Sequence, residues 1–175
     1  RDIAQKFNND FEVEDFFKVP EPLIQKEFSR VMSLKDGDKK MSKSELSDLS
    51  RINLTDNSDQ IINKIKKAKT DPLPMPSSKE ELDKRPEAKN LIGIYSSLVN
   101  TELEKTINEF SGKNFSEFKE KLSQALVEKI SPISNEISKL LKEKNFLDTI
   151  LLDGCEKANK IASNKMKKIH EIIGF

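Results

Sequence analysis

A mainly α fold is expected from this chain, with a short mixed α/β part followed by an antiparallel helical bundle, and three observations predict it. Apolar residues recur at helical spacing through most of residues 87–175. Apolar and charged residues each make up 35% of the 175 residues and tryptophan is absent, a composition expected of a soluble, helix-rich protein with a modest core. Pro72, Pro74, Pro76 and Pro86 crowd one segment with paired serines, which reads as an ordered linker or exposed crossing and divides the chain into residues 1–71 and 72–175. A chain of this length suits one domain, or one small domain with a fragment of another.

Asp2 to Phe7 reads as the end of a helix with Ile3, Ala4 and Phe7 on one face, so the chain is expected to begin inside an element. Asn8 to Pro22 is expected to be irregular or extended, because Pro20 and Pro22 break a helix and the phenylalanines between keep no helical period. Val31 to Leu34 is a β-prone run stopped by a turn centred on Asp36-Gly37-Asp38, with a loop beyond it carrying Lys40-Met41-Ser42-Lys43-Ser44. Ile52 to Leu54 reads as another short extended piece. Asp56 or Ser58 should then cap a helix through Ile61, Ile62, Ile65 and Ala68 that stops at Thr70-Asp71-Pro72.

Beyond the prolines, Ala88, Leu91, Ile92, Tyr95 and Leu98 define one helix, and Thr101 with Glu104 predicts a capped second. Asn114 with Glu117 opens a third, burying Phe115, Phe118, Leu122, Ala125, Leu126 and Ile130 until Pro132 interrupts or kinks it. A last helix from about Phe146 to Ile173 carries Leu147, Ile150, Leu151, Ala158, Ile161, Ala162, Met166 and Ile169, a stripe expected to be core. Gly154, Ala158 and Ala162 on it should allow a close intramolecular crossing.

Several classes are disfavoured. Positive and negative charges nearly cancel, giving a net charge of +1, so nucleic-acid binding would rest on local patches rather than a global field. Two such clusters exist, Lys64, Lys66, Lys67, Lys69 and Lys160, Lys165, Lys167, Lys168, and each is first read as a solvated helix face. No apolar run suits a membrane span and no signal peptide is evident, so a cytoplasmic location without membrane contact is expected. The single cysteine, Cys155, excludes an intrachain disulfide and is expected to be inert packing.

The stretch 40–44 carries the most chemistry: two lysines three apart in a serine-bearing turn suit the stabilisation of phosphate charge. Arg30-Val31-Met32-Ser33-Leu34 followed by Lys40-Met41-Ser42-Lys43-Ser44 resembles the second (KMSKS) signature of class I aminoacyl-tRNA synthetases. Arg1 to Asn8, Leu54-Thr55-Asp56, Lys64 to Ala68, Thr70-Asp71, Asn90-Leu91, Ile94-Tyr95-Ser96 and Gly154 to Ala162 narrow the resemblance to the bacterial-type tryptophanyl-tRNA synthetases over nearly the whole chain. The resemblance implies that residues 1–71 are the C-terminal part of a Rossmann-like class I catalytic domain and 72–175 a helical anticodon-binding domain.

The activity implied is that of a tryptophan–tRNA ligase: tryptophan is activated with ATP to tryptophanyl-adenylate and transferred to tRNA(Trp), with Mg2+ on the ATP phosphates and a homodimer as the intact enzyme. Lys40 and Lys43 would be the catalytic pair, since preorganised ammonium groups lower the barrier as charge grows on departing pyrophosphate, by roughly 3 kcal/mol or more in comparable cases. Ser42 and Ser44 would cradle phosphate oxygens or pin the loop, and the main chains of Met41 and Val31 would meet the adenine. Gly37 with the hydrophilic run Lys35 to Lys40 is expected to act as the loop's hinge.

Two departures from the family pattern stand out. Glu45-Leu46 follows the signature where many relatives continue with aspartate and proline, which removes a source of stiffness. The first signature, a histidine-glycine-histidine element, is missing, because the only histidine is His170. The chain is therefore expected to be inactive alone, and its incomplete sheet is expected to expose an apolar edge around Val31 to Leu34 and Phe11 to Val19. Rival readings are a non-catalytic synthetase-derived RNA- or protein-binding module and a tyrosyl-tRNA synthetase relative.

Overall fold

The computed structural model describes residues 1–23 and 30–174. It is mostly helical: α1 (Asp2–Asp10), the hairpin strands β1 (Met32–Ser33) and β2 (Asp36–Lys40), a 3₁₀ turn at Asp48–Ser50, then α2 (Ser58–Lys67), α3 (Lys79–Asp83), α4 (Pro86–Val99), α5 (Leu103–Phe110), α6 (Phe115–Leu140) and α7 (Lys144–Ile173). Two compact units result, Gln25–Lys139 and Arg1–Ile24 with Leu140–Phe175. The boundary expected at 71/72 is not a boundary between them, because the segment after the prolines folds onto what precedes it.

In the larger unit the hairpin is antiparallel, with Met32 opposite Lys40, Ser33 opposite Asp36, and an irregularity between Met32 and Ser33. The turn falls at Leu34-Lys35 rather than at Asp36-Gly37-Asp38, which belongs to β2. Leu34 is only 2% exposed, and its backbone is held on both sides: its amide donates to the Ser50 carbonyl at 2.9 Å and its carbonyl accepts from the Lys69 amide at 2.7 Å. The apolar edge expected there is thus covered at Leu34. The outer edge of β1 is completed by a side chain, as the buried Asn90 of α4 accepts from the Met32 amide and donates to the Met32 carbonyl, both at 2.9 Å. A two-residue strand alone would leave these groups unpaired.

Gly37, expected in the loop's hinge, is buried in β2. A Cβ built there would sit 2.6 Å from the Glu87 nitrogen and the Pro86 carbonyl carbon, so glycine is what allows the start of α4 to lie against the strand. Glu87 in turn pairs with Lys69 at 2.7 Å, a contact that holds the Glu87 carboxyl below its ordinary pKa.

Helix α2 is capped by Asn57, whose side chain accepts from the Gln60 amide while the Gln60 side chain accepts from the Asn57 amide, both at 2.9 Å. Of the two expected caps, Ser58 is the first helical residue and Asp56 is engaged elsewhere, accepting from the Asn53 amide at 2.8 Å and from Lys64 at 2.6 Å. Ile52 to Leu54 forms no strand. Helix α2 runs antiparallel to α6: Ser58 and Ser131 hydroxyls meet at 3.1 Å near one end, and Lys119 donates to the Lys66 and Ala68 carbonyls at the other. The ammonium there satisfies carbonyls at the negative end of the α2 dipole, and burial pushes its pKa down.

The proline segment is folded. Its centre is the buried Arg85, which donates to both oxygens of Asp71 at 2.9 and 2.6 Å, to the Pro74 carbonyl at 2.7 Å and to Glu81 at 3.0 Å. A planar guanidinium with five donors is suited to holding an irregular backbone that has few ladder bonds of its own. Met75 and Leu82 are buried beside it, and Met75 exchanges backbone bonds with Gly112 and Lys113. The expected Thr101 cap is absent, since that hydroxyl donates back to the Val99 carbonyl and α5 starts without a side-chain cap. Asn114 does cap α6, accepting from the Glu117 amide at 2.8 Å, and α6 is one helix that runs through Pro132 to Leu140 without an interruption. Phe110, Phe118 and Tyr95 pack edge to face at the centre of the unit.

The smaller unit is built differently. Phe7, Phe11, Phe16 and Phe17 form an aromatic cluster, and Asn8 clamps Phe17 by accepting its amide proton and donating to its carbonyl. Glu12 and Asp15 take left-handed backbone to fold this loop back. Lys165 from α7 lies 3.6 Å from the centre of the Phe16 ring and donates to the Phe16 carbonyl. The stripe expected to be core is not: α7 buries no residue, with Leu151 69% and Ile161 75% exposed, and among the described residues nothing comes within 4 Å of a Cβ built at Gly154. Cys155 is likewise exposed rather than packed.

Candidate functional site

The 40–44 loop leaves the hairpin at the end of β2. Its first end is held by the sheet, because the Met41 amide donates to the Val31 carbonyl at 3.0 Å and the Met41 side chain packs against the core. Lys40 is thus the last strand residue, and Val31 and Met41 meet just past the ladder's end, two positions that sequence reasoning had joined only by resemblance. Beyond Met41 the loop folds on itself: the Ser42 and Ser44 hydroxyls are 2.9 Å apart, the Ser44 amide donates to the Ser42 hydroxyl, and the Glu45 amide donates to the Ser42 carbonyl. Such serine-to-backbone bonds are the local alternative to regular structure.

Charge is distributed unevenly around this loop. Lys39 pairs with Asp36 at 3.4 Å, whereas Lys40 and Lys43 are exposed and pair with no acid among the described residues. Asp36 accepts from the Asp38 amide, which is the first cause holding its carboxyl below the ordinary value. Two uncompensated ammonium groups beside free solvent can bind and stabilise an anion with little loss of existing contacts.

A cleft of about 260 Å³ lies beside the loop, lined by residues that include Ser33, Lys35, Lys39, Lys40, Ser42 and Ser50. Ser50 is 1% exposed and its hydroxyl has no hydrogen-bond partner among the described residues. Sequence reading did not select Ser50, and a serine in a polar run carries no signal that could have found it.

Behind the loop is a network that sequence reading also missed. Arg51 donates to the Glu45 carbonyl at 2.9 Å and to Asn53 at 3.2 Å, and pairs with Asp48 at 3.3 Å. Lys64, 3% exposed, pairs with Asp48 and with Asp56, each at 2.6 Å. Lys64 and then Asn53 hold the Asp48 carboxyl below its ordinary pKa. Lys64 is therefore not part of a solvated basic face, and of its cluster Lys69 is paired with Glu87 while Lys66 and Lys67 are exposed. The sequence signal was available, because Lys64 lies beside the stripe of Ile61, Ile65 and Ala68 on α2.

Comparison with solved structures places the architecture. It superposes on tryptophanyl-tRNA synthetase from Mycoplasma pneumoniae with a TM-score of 0.81 at 24% identity, covering 100% of this chain and 51% of that one. The Campylobacter jejuni tryptophanyl-tRNA synthetase, solved with ADP and tryptophan, gives a TM-score of 0.65 at 27% identity over 100% and 52%. The architecture is a portion of a tRNA synthetase fold. A family model described as tRNA synthetases class I (W and Y) matches residues 1–131, and the chain belongs to that family. It is 46% identical to the tryptophan–tRNA ligase of Mesorhizobium japonicum, covering 54% of that protein, and 47% identical to that of Caulobacter vibrioides, covering 51%. The chain thus spans about half the length of these curated relatives.

Proposed function

We propose that this chain is the loop-bearing and tRNA-facing part of a tryptophan–tRNA ligase, in which Lys40 and Lys43 stabilise the pyrophosphate leaving ATP as tryptophanyl-adenylate forms. The observation that carries this reading is the pair of exposed, acid-free ammonium groups on a folded loop, within a chain of the tryptophan and tyrosine synthetase family. Val31 and Met41 offer backbone at the ladder's end to the adenine. Ser42 and Ser44 turn from each other toward phosphate oxygens. Mg2+ enters bound to the ATP phosphates as part of the substrate.

Functionally, residues 1–71 act as the end of the Rossmann-like catalytic domain and 72–175 as the helical region that meets tRNA(Trp), in a homodimeric, cytoplasmic enzyme. No described helix is long and apolar enough to cross a membrane. Tryptophan is favoured over tyrosine because the similar curated proteins are tryptophan–tRNA ligases. The polypeptide alone is inactive in this reading, since the histidine-glycine-histidine element cannot lie among residues whose only histidine is His170.

ATP–pyrophosphate exchange by the full-length protein tests the proposal. Lys43→Ala should lower kcat by about a hundred-fold or more, as expected for loss of one transition-state donor. Unchanged exchange in Lys43→Ala, or exchange supported by tyrosine in place of tryptophan, would refute the corresponding part.

A further inference from the structure

The two ends of the 40–44 loop are held by different means. The leading end is part of the sheet through the Met41 amide and the Val31 carbonyl. At the trailing end the loop's own turn reaches Glu45, and the next link is a side chain: Arg51 donates to the Glu45 carbonyl at 2.9 Å. Arg51 has little freedom, because its other nitrogens are engaged by Asn53 and Asp48, and Asp48 is anchored by the buried Lys64 on α2. Lys64 is fixed from its far side by Asp56, which also accepts from the Asn53 amide. A continuous chain of ion pairs and hydrogen bonds therefore runs from the core helix to the backbone carbonyl two residues beyond Lys43.

We propose that Arg51 is a positioning residue of the loop: it restrains the trailing end through Glu45 and thereby fixes where Lys43 is presented. The inference rests on the role in ATP chemistry proposed above. A fork that bridges a carboxylate and a backbone carbonyl at once is work for a guanidinium and not for an ammonium.

The test is steady-state ATP–pyrophosphate exchange by the full-length enzyme, with tryptic cleavage after Lys43 as a readout independent of activity. Arg51→Ala should lower kcat about ten-fold, as expected for misplacing a catalytic group, while the KM for tryptophan stays unchanged. Tryptic cleavage after Lys43 should accelerate several-fold. In a Lys43→Ala background the same substitution should cost less than about two-fold further, because residues acting through one another are not additive. Arg51→Lys, which keeps a cation beside Asp48 but not the second bond, should show most of the loss and serves if Arg51→Ala does not fold. Wild-type kcat in both Arg51 variants, or fully multiplicative losses with Lys43→Ala, would overturn the proposal. If Lys43→Ala itself leaves exchange unchanged, the loop's chemistry fails separately, and the tether is then judged by cleavage alone: an unchanged rate overturns it.

Discussion

Helices α2 and α7 both carry apolar residues at helical spacing and meet opposite fates. The shorter one, ten residues long, buries Ile61, Lys64 and Ile65, whereas the thirty residues of α7 bury none. Their lysines differ in the same way. Lys64 is enclosed by two carboxylates, while Lys160, Lys167 and Lys168 stay exposed and Lys165 alone is engaged, over Phe16. Helical periodicity defines which face is apolar; it does not provide the surface that covers it. For α2 that surface exists because α6 ties both its ends, at Ser131 and at Lys119.

The largest effect that would sharpen this contrast comes from the paired lysines. Lys64→Ala leaves Asp56 buried without its cation and should cost about 3–5 kcal/mol, whereas Lys160→Ala should be nearly neutral; urea unfolding of both variants gives the comparison, and equal small losses would break it. A smaller but still clear loss is expected at the strand against α4. Gly37→Ala must push back the backbone of Pro86 and Glu87, and should cost about 1–3 kcal/mol as overpacking does. A hinge role would instead predict a change in loop kinetics with little change in unfolding midpoint. The least effect belongs to α7, where Ile161→Ala should move the chain's stability by no more than about 0.5 kcal/mol; a core-sized loss there would restore the expected buried stripe.

Legibility varied with the kind of physics involved. The spacing of Lys40 and Lys43 was readable because it is local, whereas the strand that leads into them, Asp36–Lys40, was read as a turn. The Asn114 cap and the approximate spans of α4 and α7 were readable for the same reason. Asp56 was misassigned because a cap and a buried ion-pair partner use the same residue type, and only Lys64 arriving from the next turns of the helix decides between them. Gly37 was read as a turn residue, since Asp-Gly-Asp is turn chemistry in isolation. What places it in a strand is the start of α4, whose backbone leaves no room for a Cβ. Arg85 and Asn90 organise the proline segment and the hairpin edge by reaching residues 11–14 and 58 positions away, and no local pattern announces such partners.

By itself, the sequence determined the helical class, the family and the spacing of Lys40 and Lys43, because each depends on residue type and spacing along a few turns of chain. Tertiary structure alone decided that the trailing end of that loop hangs on Arg51, that Lys64 is an anchor rather than a surface charge, and that the long apolar stripe of α7 stays uncovered. The physical reason is that burial and charge pairing belong to pairs of surfaces, and a sequence specifies one surface at a time until the chain has folded.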